Sequence, residues 1–176
     1  MSDSRRNFLI KSFGASGAAW LTANWPAQVA AAEKAFGVGN FTYFNREQAA
    51  DVDAIAAQIY PTTDTPGAKE AQVIYFIDLA LVTFAQDKQD VYAKGLAALS
   101  TKTGGKRFAA LSGDEQIALL TSIEKTPFFK AVRDHTIMGM FAAPQHGGNY
   151  KKIGWTQIGY DDSLNFRAPF GAYDKA

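Results

Sequence analysis

Two histidines, His135 and His146, are the only imidazoles in the 176-residue chain, and there is no cysteine. Thiol catalysis, disulfides, iron–sulfur ligation and covalent haem attachment through a Cys-x-x-Cys-His sequence are therefore excluded. Neither histidine belongs to a metal-ligand cluster. His135 falls within a helical pattern and reads as a surface or packed polar residue, whereas His146 stands beside two glycines in a loop. Asp64, Asp78, Asp161 and Asp162 offer carboxylates, but no spacing holds two of them at the separation that glycoside hydrolysis needs. Gly147-Gly148 exposes backbone donors without the strand, glycine turn or Gly-Lys-Ser/Thr sequence of a phosphate-binding loop. A flavin or nicotinamide fold within this chain is not expected, and neither is an active centre of its own.

The elements around these residues are helical. Asn45 caps a segment whose Val52, Ile55, Ala56 and Ile59 recur at helical spacing, with Gln48 completing a capping box, so the pattern predicts a helix over 46–59. Pro61 through Gly67 is a turn-rich link. The run from Val73 to Phe84 is apolar almost all the way round and too short to cross a bilayer, which predicts a buried central helix rather than a strand. A third helix is expected over 88–102, with Val91, Leu96 and Leu99 inward and Gly104-Gly105 as its stop, and Phe108 and Leu111 continue the core. Ser112 and Glu115 form a second capping box for a helix carrying Ile117, Leu119, Leu120 and Ile123. Thr126-Pro127 starts a helix carrying Phe128, Phe129, Val132, Ile137 and Met138. These five segments predict an all-α fold, a small orthogonal helical bundle. After Pro144 an irregular, non-helical, aromatic-rich tail is expected, with Trp155, Ile158, Tyr160, Phe166, Phe170 and Tyr173 either wrapping the domain or presenting anchors to a partner.

The first thirty residues read as an address. Arg5-Arg6 followed by Phe8, Leu9 and Lys11 resembles the twin-arginine export motif, a moderately apolar stretch runs from Phe13 to Trp25, and Ala30-Ala31-Ala32 suits a signal peptidase. The expected organisation is a signal peptide over 1–32 and one domain over 33–176, opening with an extended lead-in (Phe36, Phe41, Tyr43, Phe44) laid across a surface. The whole chain has 18 basic and 17 acidic residues, a formal charge of +1. Removing Asp3, Arg5, Arg6 and Lys11 leaves 15 basic and 16 acidic residues, a charge of −1. Nothing in that balance points to nucleic acid.

The order of several short sequences resembles the gluconate 2-dehydrogenase subunit 3 family. They are Asp53-Ala-Ile-Ala-Ala-Gln-Ile59, Pro61-Thr-Thr-Asp-Thr-Pro-Gly-Ala-Lys-Glu-Ala71, Val73 to Asp78, His135-Thr136, Gly139-Met140-Phe141, Gly147-Gly148-Asn149, Gly154-Trp155 and Ile158-Gly159-Tyr160. The resemblance implies a small accessory subunit without a cofactor or catalytic residues of its own. By the same resemblance, its partners are an FAD-containing large subunit similar to glucose-methanol-choline oxidoreductases, a multihaem cytochrome c subunit and the twin-arginine translocase. It further implies a periplasmic location at the inner membrane and a role in maturation and co-export of the flavoprotein. Pro61, Asp64, Pro66 and Gly67, together with His146, Gly147, Gly148, Asn149, Trp155 and Tyr160, are the candidate interface residues. For Trp155 and Tyr160 the alternative is core docking, and for the whole chain it is a periplasmic binding or electron-path module.

Overall fold

A computed structural model of the chain describes residues 41–162. The chain divides after residue 40, and the described residues all fall in its second unit. The export motif at Arg5, Arg6, Phe8 and Leu9, the signal-peptide boundary and the aromatics Phe36, Phe166, Phe170 and Tyr173 lie outside the described residues.

Both capping boxes form as their residue types require. Asn45 Oδ1 accepts from the Gln48 backbone N–H at 2.8 Å while the Asn45 N–H donates to Gln48 Oε1 at 3.1 Å. Two donors that a helix start would leave unpaired are thereby satisfied, and α1 runs from Arg46–Ile59. Ser112 and Glu115 exchange the same bonds at the start of α4, Gly113–Ile123. Thr126 caps α5, Pro127–Phe141, where the missing proline N–H falls at a position that has no helical acceptor.

The apolar run from Val73 becomes α2, Val73–Val82, with Val73, Ile77, Ala80 and Leu81 fully buried. It is the central helix, packed on α5 and α1. Thr83 leaves helical geometry, so the helix ends before Phe84, whose ring lies exposed against Phe76. A three-residue 3-10 turn at Gln86–Lys88 leads into α3, Gln89–Lys102, which packs on α5 and stops where Gly104 and Gly105 take positive φ. The fold is all-α, with no strand among the described residues.

Three of the apolar residues that mark these helices in the sequence point outward. Ile117 is 54% exposed, and Ile137 and Met138 are each 46% exposed. The buried set of α4 is Gln116, Leu120 and Ile123, which leaves Ile117 about 100° round the helix from Gln116. In α5 Phe128 and Val132 are buried as expected, and Ala131, His135, Thr136, Gly139 and Met140 complete the core stripe. The segment after Pro144 is also not wholly irregular. Two 3-10 turns, Pro144–His146 and Tyr150–Lys152, precede a short helix α6, Ile153–Gln157.

Asp78 holds the lead-in. This buried carboxylate accepts the N–H groups of Thr42 (2.7 Å), Tyr43 (3.0 Å) and Phe44 (2.9 Å), turning the chain just before α1 onto the side of α2. Phe44 enters the core and Phe41 stacks on Tyr75. Three converging backbone donors replace the water that a buried carboxylate loses.

Candidate functional site

The link after α1 closes on itself. Glu70 accepts the Thr62 hydroxyl at 2.6 Å and the Gly67 N–H at 2.8 Å, and the Ala68 N–H returns to the Tyr60 carbonyl at 2.9 Å. The bond from Thr62, followed by those from the backbone, holds the Glu70 carboxyl below its ordinary range. A Cβ on Gly67 would sit 2.6 Å from the Thr62 nitrogen and the Tyr60 oxygen, so only glycine permits this closure. Residues 61–66, the outer arc of this closed link, are exposed, Pro61, Asp64 and Pro66 among them, and Gly67 is buried.

The second segment is built on the C-terminal end of α5, whose last carbonyls have no helical donors. Asn149, fully buried and at φ 49°, donates from Nδ2 to the Ala142 carbonyl at 3.0 Å and accepts the Gly154 N–H at 2.8 Å. Trp155 Nε1 donates to the Phe141 carbonyl at 2.8 Å. Gly148 and Gly154 lie directly against the backbone of Gly139 and Met140, leaving no room for a side chain. The spacing from Gly-Gly-Asn to Gly-Trp is thus a cap for α5 as well as a surface loop. His146 is exposed in the turn that precedes it, and Gly147 has φ 97°.

The two segments meet edge to edge. Tyr60 donates its hydroxyl to Gln157 Oε1 at 2.7 Å, Gln157 Nε2 donates to the Pro66 carbonyl at 2.6 Å, and the Tyr150 N–H donates to the Ala71 carbonyl at 3.0 Å. Gln157 was not among the residues singled out from sequence, and nothing in its surroundings there marks it. Around this seam Ile158 is 61%, Tyr160 56% and Tyr150 44% exposed. Trp155 is half-buried, edge-on to Tyr160 with centroids 5.0 Å apart. Lys151 and Lys152 hold left-handed backbone at φ 54° and 60°, a conformation costing about 1 kcal/mol or more for a residue with a side chain. Lys152 is tied to Asp162 at 2.7 Å and lies over the Trp155 ring.

Asp53, on α1, is largely withdrawn from water, and among the described residues no hydrogen bond to its carboxylate is found. Burial pushes its carboxyl up, opposed by Lys69 and reinforced by Glu70 from the neighbouring link. His135 packs internally. Its Nδ1 lies 3.0 Å from the Tyr92 hydroxyl, the two rings stack at 5.8 Å, and burial lowers the imidazole pKa against the opposing pull of Asp134. Of the four aspartates weighed above, Asp78 is occupied by the lead-in and Asp162 by Lys152. Among the described residues no three His, Cys, Asp or Glu side chains stand together as a metal site.

A family model described as gluconate 2-dehydrogenase subunit 3 matches residues 46–162, from the start of α1 to the end of the seam. No curated protein and no solved structure matches the chain.

Proposed function

We propose, from the premise that this chain belongs to the gluconate 2-dehydrogenase subunit 3 family, that it is the non-catalytic small subunit of a periplasmic FAD-dependent sugar, sugar-acid or alcohol dehydrogenase complex. Its work is to support the stability and maturation of the flavoprotein subunit and its export by the twin-arginine route. FAD belongs to the large partner and haem c to a cytochrome partner. The observation that carries this reading is the seam between the 61–71 link and the 144–160 segment. Two separate stretches of the family match close on each other and hold Tyr150, Ile158 and Tyr160 out to solvent around a half-buried Trp155. Aromatic side chains fixed on a rigid frame suit the anchoring of a protein partner, because they bury much apolar area with little rotamer entropy lost.

Residues Arg5, Arg6, Phe8 and Leu9 supply the address in this reading. The mature domain binds the large subunit in the cytoplasm, and the two arginines present the pair to the translocase. Arginine's planar fork of donors is not reproduced by lysine. Coexpression of the flavoprotein with this chain tests the assignment. Paired Arg5→Lys and Arg6→Lys changes are expected to keep both proteins in the cytoplasm without loosening the complex. A large subunit with no signal of its own that still reaches the periplasm, fully loaded with FAD, when this chain is omitted would reject the assignment.

A further inference from the structure

At the other end of α5, roughly 20 Å along its axis from the aromatic seam, the surface has a different chemistry. A groove of about 310 Å³ runs between α3 and the corner joining α4 to α5, floored by Val91, Gly95, Ala98, Ile123 and Phe128. Lys94 and Lys102, two helical turns apart on α3, line it as its only charged residues. A second hollow, of about 540 Å³, shares Thr126 and Pro127 with the first and adds Lys125, Lys130 and Arg133 against a single acid, Glu124. Five cations and one acid thus line the two adjoining hollows in a chain whose total charge is near zero. Lys94, Lys130 and Arg133 have acidic neighbours in Asp90 and Asp134, whereas Lys102 and Lys125 have no ion pair among the described residues.

We propose that this lysine-rimmed groove docks an acidic amphipathic segment of another protein, its apolar side chains on Val91, Ala98 and Phe128 and its carboxylates on Lys102 and Lys125. The charge argues for an acidic occupant, and it argues against this chain's own outlying segments. Residues 1–40 hold Arg5, Arg6, Lys11 and Lys34 against Asp3 and Glu33, and residues 163–176 hold Arg167 and Lys175 against Asp174. The apolar surface is concave, and none of the exposed large apolar residues of the domain lines either hollow. A bilayer-binding face needs apolar side chains that project, whereas a groove receives them from a partner helix or strand. A second copy would have to offer a different patch, such as the acids Glu47, Asp51, Asp114 and Glu115, and such a head-to-tail contact generally does not close at two subunits. This surface is distinct from the aromatic seam, so the proposal stands whether or not the seam binds a flavoprotein.

The test uses the full chain and two short helical peptides, one with leucines at helical spacing flanked by glutamates, the other its twin with lysine at every glutamate. The acidic peptide is expected to bind, to slow amide exchange across residues 91–102 and 123–129, and to bind more weakly as salt is raised. Lys102→Glu with Lys125→Glu should weaken it by about tenfold or more while leaving the thermal melt unchanged. Equal binding of the basic twin, or protection confined to other residues, overturns the proposal. So does binding to phosphatidylglycerol vesicles that these two changes abolish, which would make the surface a membrane contact. Oligomers in size exclusion that the same changes dissolve would assign it to a second copy and overturn it as well.

Discussion

Replacing Asn149 should unfasten the aromatic seam without unfolding the helices. Asn149→Ala removes two hydrogen bonds, to the Ala142 carbonyl and from the Gly154 N–H. Each bond contributes about 1 kcal/mol net, and the stranded Gly154 N–H, which is buried, adds a desolvation penalty of about 1–3 kcal/mol. Asparagine tolerates left-handed backbone better than alanine, so holding φ near 49° adds roughly 1 kcal/mol. Together these reach about 4–6 kcal/mol, against a segment held otherwise by the Trp155 bond to Phe141, the Tyr150 bond to Ala71 and the Gln157 bridge. Local opening of residues 147–157 should therefore become common while α1 to α5 keep their protection. Hydrogen exchange followed by mass spectrometry reads this directly, and affinity for the flavoprotein should fall in parallel. Asn149→Asp separates the causes. It keeps size, acceptor and tolerance of the backbone, but sets an anion beside the C-terminal carbonyls of α5, the negative end of the helix dipole. It should behave as badly as alanine at neutral pH and recover in acid, where the protonated carboxyl can donate to Ala142. Unchanged exchange over 147–157 in both variants would refute the capping argument.

Asp78→Asn places an N–H₂ where one of three N–H donors now finds an oxygen, and should destabilise the domain by about 2–3 kcal/mol, with faster exchange at Thr42, Tyr43 and Phe44; a denaturation midpoint and slope equal to the parent's would count against the clamp. His135 is buried and its pKa lies below the ordinary 6.5, so the unfolded chain binds its proton first. The stability this neutral histidine contributes is complete above that value and is lost as pH falls through the depressed one, by up to about 1.4 kcal/mol per pH unit. Urea unfolding between pH 7 and 5, above the range where the carboxylates dominate, should show the decline, and His135→Gln should flatten it; parallel profiles for the two proteins would exclude His135 as its source.

Where the sequence was legible, the physics is local. Capping boxes at Asn45 and Ser112, the proline after Thr126 and the double glycine after α3 each act within a few residues, and each marks a real boundary. The apolar run of α2 is equally plain, because a helix buried on all sides needs no periodicity to be recognised. What spacing could not supply was the orientation of helices with several apolar faces. Ile117, Ile137 and Met138 fit a helical stripe as well as their buried neighbours do, and only the placement of the other helices decides between them. Long-range polar contacts were hidden for the same reason. Asp78 reads as one carboxylate among four until the lead-in folds over it, and Gln157 carries no mark of its bridge to Pro66 and Tyr60.

The glycine and asparagine positions of the late segment show how a family pattern can be read in physical terms. Gly148 and Gly154 are small because the backbone of α5 passes directly beneath them, and Asn149 is polar because a helix end beneath it lacks donors. These constraints would exist in a domain that bound nothing. Yet their effect is to hold Tyr150, Trp155, Ile158 and Tyr160 in one orientation beside the 61–66 link, even with two lysines in strained backbone. A cap alone does not require exposed aromatics around it, and an interface on a frayed helix end would lose its anchors to entropy. The same residues can therefore serve packing and recognition at once. Their substitution should be judged by exchange and by partner affinity together, because a purely structural site would move only the first.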